Sequence, residues 1–143
     1  MVFKINLSEK GKTYHFESDS EFLIGKKIGE KFRGNELLPE LSSYELEIKG
    51  TSDIAGLPGS EQIEGPALAR LLLKKGKFLR RVPHKGFRRK KSVRGNEISL
   101  SISQINLSVV KKGTKALEEI FPEQNKKKEE NKQEIKKEIS EAI

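Results

Sequence analysis

The chain has 143 residues, a length that suits one domain with a tail, and its lack of cysteine excludes disulfide bonds, thiolate nucleophiles and cysteine-ligated zinc. Its formal net charge is +8, from 29 lysine and arginine residues against 21 aspartate and glutamate residues. The N-terminal MVFKINLSEK has no apolar core and no apolar run exceeds three residues, so we expect neither a signal peptide nor a membrane span.

The first half of the chain alternates apolar and polar residues in the way that is typical of β-strands. Residues 2–17 contain two alternating runs, VFKINL and TYHFE, joined by a turn with Gly11, and they predict a hairpin. YELEIKG (44–50) alternates in the same way and predicts another strand. Between them, Ile24, Ile28 and Phe32 recur every four residues, which favours a short helical turn.

The middle of the chain combines a loop with an ambiguous segment. GTSDIAGLPGSEQIEGP (50–66) holds four glycines and two prolines, which predict a structured loop and neither helix nor strand. In ALARLLLKKGKF (67–78), Gly76 fits the end of a helix that begins at Pro66. Leu71 and Leu73 fit one face of a short strand equally well, and periodicity does not decide between the two.

The last alternating region, EISLSISQINLSVVKKG (97–113), changes parity at Ser103-Gln104, so we expect two strands with a bulge or break between them. About five short strands with glycine-rich turns favour a mainly β fold, a small mixed-to-antiparallel β-barrel with one or two short helices. We assign this domain to residues 1–121 and a charged tail to residues 122–143.

The tail is rich in lysine and glutamate and contains neither glycine nor an aromatic residue. Ile135, Ile139 and Ile143 repeat every four residues, which fits a charged helix with a thin apolar stripe. Pairs such as Lys126/Glu130 and Lys137/Glu141 would support it. The same composition fits a segment that is disordered when alone.

Positive charge is concentrated in one part of the chain. Between Glu64 and Glu97 there is no acidic residue. The same window holds twelve basic residues: Arg70, Lys74, Lys75, Lys77, Arg80, Arg81, Lys85, Arg88, Arg89, Lys90, Lys91 and Arg94. The rest of the chain carries seventeen basic and twenty-one acidic residues, so it is mildly acidic. A local excess of this kind indicates a polyanionic partner, and nucleic acid more than an anionic membrane.

Residues 74–95, which we call the basic segment, have further features of a nucleic-acid-binding loop. Arginines occur among the lysines and clamp phosphates through two hydrogen bonds. Phe78 and Phe87 lie among the charges, where an aromatic ring can stack on an unpaired base, although Phe78 fits an ordinary core position equally well. The alternative is a solvated charged face or a flexible arm.

The residues offer little for catalysis. The only histidines, His15 and His84, belong to no metal-binding or nucleophile motif, and no phosphate-binding glycine motif is present. Asp53 is a lone carboxylate in a glycine-rich loop, where it more often caps a turn. We therefore predict no catalytic residue, no metal site and no cofactor, with a metal-dependent RNA-modifying or nuclease activity at Asp53 as the enzyme alternative.

Four blocks of the sequence resemble a known family. HKGFRRKKSVRGN followed by ISQINLSVVKKG closely resembles the eukaryotic-type small-subunit ribosomal protein number six, which is found in archaea and eukaryotes. FLIGKKIGEKFRGN and KGTSDIAGLPG resemble two further blocks in the same order. The resemblance covers roughly residues 2–121.

The resemblance implies a small β-barrel of the translation-protein type and a structural role, without catalysis, in the cytoplasmic small ribosomal subunit. The expected partners are small-subunit ribosomal RNA and other ribosomal proteins, with no membrane and no small-molecule substrate. The residues that match the RNA-facing basic block of the family are Arg88, Arg89, Lys90, Lys91, Ser92, Val93 and Arg94, with Gly95. Together with the charge pattern, this gives the expected RNA-binding residues: Lys74, Lys75, Lys77, Arg80, Arg81, Lys85, Phe87, Arg88, Arg89, Lys90, Lys91 and Arg94. The residues expected to keep the loops in shape are Gly50, Asp53, Gly56, Pro58 and Gly95.

The chain departs from the family in two places. It has Thr51-Ser52 where the family usually has two glycines, and Leu57-Pro58-Gly59 in place of Phe-Pro-Met. Its tail is short, with Ser140 as its one serine, whereas eukaryotic members carry a long basic helix with phosphorylated serines, so the pattern resembles archaeal members. The rival function is a free RNA-binding translation factor or RNA chaperone on a similar barrel.

Overall fold

The computed structural model describes residues 2–124 and 126–142, and in that part the fold is mainly β, which confirms the predicted class. The strands are β1 Phe3–Glu9, β2 Lys12–Ser18, β3 Lys31–Arg33, β4 Glu45–Asp53, β5 Leu68–Leu73, β6 Arg89–Arg94 and β7 Ile102–Lys111. The α-helices are α1 Leu117–Ile120 and α2 Lys126–Glu141, and short 3₁₀ helices cover Glu21–Leu23, Gly34–Glu36 and Pro39–Leu41.

Five strands form one sheet in the order β2-β1-β7-β4-β3. The predicted hairpin is confirmed, because β1 and β2 pair antiparallel from Phe3/Ser18 to Glu9/Lys12. β1 pairs parallel to β7, and β7 pairs antiparallel to β4. The alternating apolar residues lie on one face and are buried in the core: Phe3, Ile5, Leu7, Tyr14, Leu46, Ile48, Ile105 and Leu107.

The remaining two strands, β5 and β6, form a separate antiparallel ribbon. For the ambiguous segment the strand interpretation is confirmed and the helix interpretation is wrong, since Leu68–Leu73 is β5. The basic segment, which we expected to be a loop throughout, ends in strand β6. The ribbon therefore consists of two strands joined by residues 74–88.

The helical turn predicted from Ile24, Ile28 and Phe32 is wrong. After the 3₁₀ helix Glu21–Leu23 this stretch forms turns, and its backbone hydrogen-bonds to a distant segment: the Gly25 N–H donates to the Ile98 carbonyl (2.9 Å) and the Ile28 N–H to the Asn96 carbonyl (3.0 Å). Phe32 lies in β3, on the edge of the main sheet. Pairing with distant segments satisfies these amides, so the local four-residue spacing does not produce a helix.

Two further boundaries differ from expectation. β4 continues through residues 51–53, which we had assigned to the loop, because β7 pairs with it as far as Asp53. The predicted bulge is confirmed, since Gln104 lies opposite Ser52 and Ile102 opposite Asp53, which leaves Ser103 between two register positions. β7 is one strand, and the expected strand before it is wrong because residues 98–101 lie outside the strands.

The tail takes the helical alternative, α2. The Lys126/Glu130 pair lies outside the described side chains, and Lys137/Glu141 stays a prediction. Within the described pairing the sheet ends at β2 and β3, so the closed barrel is not confirmed. A search of the described helices finds none with the length and apolar character that crossing a membrane requires.

Candidate nucleic-acid interface

The register of the ribbon determines which side chains share a face. Residues directly opposite each other in an antiparallel pair project to the same side. One face therefore carries Leu68, Arg70, Leu72, Lys90, Ser92 and Arg94, and the other carries Ala69, Leu71, Leu73, Arg89, Lys91 and Val93. Cations occur on both faces. Leu73/Arg89 is the last pair of the ribbon, and the connection 74–88 joins these two residues. The tip of the ribbon is therefore positively charged on all sides.

Eleven of the twelve predicted RNA-binding residues are cations, and ten of these eleven are exposed: Lys74, Lys75, Lys77, Arg80, Arg81, Lys85, Arg88, Arg89, Lys90 and Lys91. Within the described residues the structure records no ion pair to a carboxylate for any of these ten. They are therefore free to meet phosphates. The structure brings them together along the tip and its connection, as the sequence pattern indicates.

The connection 74–88 contains one buried apolar residue. Leu79 is buried, and its carbonyl accepts a hydrogen bond of 2.9 Å from the Gly76 N–H. Phe78 is half-buried, with the Lys77 ammonium 5.5 Å from its ring centre, so it has both a packing contact and a cationic neighbour. Phe87 is also half-buried, and its ring meets the His84 ring edge to face at 5.7 Å.

Arg94 differs from the other cations because its guanidinium is already bound within the protein. Its Nε and Nη2 donate to Asp53 Oδ2 at 3.3 and 3.1 Å, and its Nη1 donates to the Pro66 carbonyl at 3.2 Å. The side chains are 17% exposed for Arg94 and 2% for Asp53. This ion pair joins the end of β4 in the main sheet to the end of β6 in the ribbon, so it fixes one relative to the other.

Besides its ion pair, Asp53 caps a turn, which is the role that the sequence favours for it. The Leu57 N–H donates to its Oδ1 at 2.8 Å, and the Gly56 N–H donates to its backbone carbonyl at 3.0 Å. Burial opposes ionisation of this carboxyl, but the hydrogen bonds from Leu57 and Arg94 and the charge of Arg94 outweigh it, so the pKa of Asp53 lies below its usual value. The carboxylate is therefore charged, paired and structural.

Three of the other four residues expected to keep the loops in shape lie near this ion pair. Gly56 has φ +87°, a left-handed conformation that favours glycine. The Pro58 carbonyl accepts the Arg94 N–H at 2.9 Å. A Cβ at Gly95 would lie 1.7 Å from the carbonyl oxygen of Gly65, so only glycine fits there. Gly50 lies farther away, in β4 opposite Asn106 and next to a register irregularity.

Three residues of the ribbon surface are absent from the predicted site. Arg70, Leu68 and Leu72 all project from the same face, and the two leucines are about half exposed. The sequence could have predicted this: if LARLLL is interpreted as a strand and not as a helix, every second residue, here Leu68, Arg70 and Leu72, lies on the same face of the ribbon. The face thus combines aliphatic side chains with cations.

The site lacks the arrangement of a catalytic centre. The Asp53 carboxylate is buried and accepts hydrogen bonds from Leu57 and Arg94, so it is not exposed to a substrate in solvent. Among the described residues, no group of three or more histidine, aspartate or glutamate side chains is placed to hold a metal ion. What the geometry offers is a charged surface for a polyanion.

Comparison with known proteins gives a consistent result. The family model described as "Ribosomal protein S6e" matches residues 1–122. A small ribosomal subunit protein eS6 of Methanococcus maripaludis is 44% identical over 119 residues, which cover 82% of this chain and 94% of that protein. Proteins with the same description from Methanosphaera stadtmanae (40%, covering 91% and 100%) and Methanothermobacter thermautotrophicus (41%, covering 85% and 96%) are also similar.

Proposed function

The chain belongs to the ribosomal protein S6e family, and from this premise we propose that it is a structural component of the cytoplasmic small ribosomal subunit that binds ribosomal RNA through the ribbon and its connection. Its role in translation is then architectural, with no catalytic step. The similar archaeal proteins carry the description of small-subunit proteins, which supports this role.

The single observation that carries RNA binding is the set of ten exposed cations in the ribbon and its connection, for which the described part of the chain provides no carboxylate partner. Like charges spaced within a Debye length of about 8–10 Å repel one another. RNA phosphates placed among them remove that repulsion and release condensed counterions. The folded ribbon tolerates its charge because the partner supplies the opposite charge.

We assign the ten exposed cations to phosphate contacts and leave Arg94 out of this set. Its guanidinium donates to Asp53 and Pro66, so using it on RNA would require breaking a buried ion pair. Arg94 instead holds the ribbon in the position from which the other cations reach RNA. Contacts of this kind fix register on the backbone and read little base sequence.

We expect other ribosomal proteins as further partners.

We also expect the sheet and the ribbon to belong to a barrel of the translation-protein type. The irregular pairing of β4 with β7 and the bridge between Gly59 and Arg94, which connects the loop to the ribbon, support a strongly curved sheet. The alternative, a free RNA-binding translation factor or chaperone, predicts that the protein leaves the small subunit in a high-salt wash.

A salt titration of binding to small-subunit ribosomal RNA tests the proposal. If six to ten cations contact phosphate, affinity falls by roughly 10³–10⁵ between 50 and 200 mM salt. Replacing Arg88, Arg89, Lys90 and Lys91 together by glutamine removes four charges from the ribbon end. Each phosphate contact contributes about 0.7–0.9 to the slope of log affinity against log salt, so the slope should fall by about three.

A matched variant controls for net charge. Lys27, Lys31, Arg33 and Lys115 are exposed and lie outside the basic segment, and their replacement by glutamine removes the same charge. We expect the control to keep most of the wild-type slope. Equal slopes for the two variants would mean that RNA follows the net charge of the protein, and the assignment of the interface to the ribbon would fail.

A further inference from the structure

The connection 74–88 encloses a cleft of about 490 Å³ that opens to solvent. Its lining comes from Lys74, Lys75, Val82, His84, Lys85, Gly86, Phe87 and Arg88. Small-molecule sites in proteins usually occupy about 300–1,000 Å³, so the cleft is large enough for a ligand of nucleotide size. It lies within the proposed RNA-binding surface, but its shape differs from that of an open phosphate-binding face.

The floor of the cleft is apolar and partly aromatic. Val82 and Phe87 are half-buried, and the His84 ring stands at 83° to the Phe87 ring. Gly86, with φ +80°, forms the turn between these rings, and the Phe87 N–H donates to the His84 carbonyl at 3.4 Å. The turn holds both rings at the cleft wall.

The rim of the cleft is cationic. Lys74, Lys75, Lys85 and Arg88 are all exposed, and the described residues place no carboxylate in the lining. A cleft with half-buried apolar and aromatic residues and exposed cations in its lining fits a ligand that has a flat ring and negative groups attached to it. A nucleotide has both, since each base has a face that stacks on an aromatic side chain and each link of the chain carries a phosphate.

The same features decide between a paired and an unpaired nucleotide. In a double helix both faces of a base are covered by its neighbours, and only phosphates and groove edges are accessible. Phosphates alone would leave the solvent-accessible parts of the Phe87 ring and of Val82 uncovered. An unpaired base, bulged or looped out of a helix, brings a free ring face to the floor while its flanking phosphates meet the rim.

We propose that this cleft binds one unpaired nucleotide of the RNA, with the base on Phe87 and the flanking phosphates on Lys85 and Arg88. The inference rests on the proposed function and makes it more specific. The exposed cations of the ribbon supply binding to any RNA backbone, and the cleft adds a preference for an RNA that carries an extruded base.

The test compares RNA hairpins of equal length, one fully paired and four that carry a single bulged A, G, C or U. Binding to the full chain is measured by fluorescence anisotropy at several salt concentrations, and the hairpins are compared with one another at the same concentration, because salt changes affinity strongly. One stacked base corresponds to a gain in affinity of about 5- to 150-fold, so at least one bulged hairpin should bind tighter than the paired one by a factor in that range.

The Phe87→Leu variant removes the ring face while keeping an apolar side chain. It should lose the preference for the bulged hairpin and keep the wild-type affinity for the paired one. Phe78→Leu is the control, since Phe78 is a half-buried aromatic residue of the same segment that does not line the cleft. Circular dichroism melting of both variants verifies that they are folded.

The outcomes separate the inference from the proposed function. If the wild type binds all five hairpins equally with a steep salt dependence, the cleft inference fails and RNA binding by the ribbon stands. If Phe87→Leu keeps the full preference, or Phe78→Leu loses it, the placement of the base on Phe87 fails. If no hairpin binds with a steep salt dependence, the proposed function fails and the cleft inference fails with it.

Discussion

Replacing Arg94 by methionine tests whether this arginine stabilises the fold or contacts RNA. The substitution keeps a long side chain and removes the donors to Asp53 and the Pro66 carbonyl. Asp53 Oδ2 would then be a buried charge without its partner, on a side chain that is 2% exposed. Breaking a buried ion pair from one side costs about 3–5 kcal/mol. Because Arg94 keeps 17% of its side-chain surface in water, we expect the lower value, about 3 kcal/mol.

Urea denaturation followed by circular dichroism measures this loss, and thermal melting should show a decrease of roughly 6–12 °C at about 2–4 °C per kcal/mol. Arg88→Met and Arg89→Met are the controls, because both arginines are exposed and form no recorded ion pair among the described residues. Each should change stability by no more than about 0.5 kcal/mol. In RNA titrations we expect the opposite ranking. Each control variant should lower the slope of log affinity against log salt by about one, whereas folded Arg94→Met should leave this slope unchanged. A stable Arg94→Met protein with a reduced salt slope would refute the structural assignment.

Two further predictions concern the same region. The pKa of Asp53 is lowered in the folded state, so its contribution to stability is present above its usual value of 3.8 and is lost as the pH falls below that towards the folded-state pKa. Urea midpoints measured from pH 5 to pH 2 should therefore decrease more in the wild type than in Asp53→Asn. All other carboxyl groups titrate in both proteins, so parallel curves of urea midpoint against pH would contradict the ion pair. Thr51 Oγ1 is buried without a hydrogen-bond partner in the described structure, so Thr51→Val should stabilise the protein by about 1 kcal/mol, and a loss in the same urea assay would reveal a partner for this hydroxyl.

The parts of the fold that follow from the sequence are those in which burial on one sheet face dictates the pattern. Phe3, Ile5 and Leu7 alternate because β1 has one face in the core, and the parity change near Ser103 follows from a real irregularity in the pairing of β4 with β7. Burial of one sheet face therefore produces an alternation of apolar and polar residues that is visible in the sequence.

The parts that do not follow are those decided by contacts between distant residues. The spacing of Ile24 and Ile28 suggests a helix, but the backbone of their segment hydrogen-bonds to residues 96–98 and 48. These residues are distant in the sequence, so a prediction from neighbouring residues cannot include them. Asp53 and Arg94 are 41 residues apart, and each fits another role when it is considered alone. An ion pair between the ends of two distant strands produces no periodicity in the sequence. The sequence therefore predicts a turn cap at Asp53 and an RNA contact at Arg94, whereas the structure pairs the two side chains.

The block RRKKSVRG (88–95) therefore divides into two halves with different physical tasks. An isolated two-stranded ribbon is marginally stable in water, and one that carries many like charges is less stable still. The second half of the block offsets this: Val93 is buried, Arg94 is paired with Asp53, and Gly95 allows close contact with Gly65. The first half, residues 88–91, is left exposed with its charges free for phosphate. Because Arg94 of the anchoring half is paired with Asp53 inside the protein, this half stabilises the ribbon in the absence of RNA. Under the proposed function, the exposed half would then present its charges in an arrangement that is already in place.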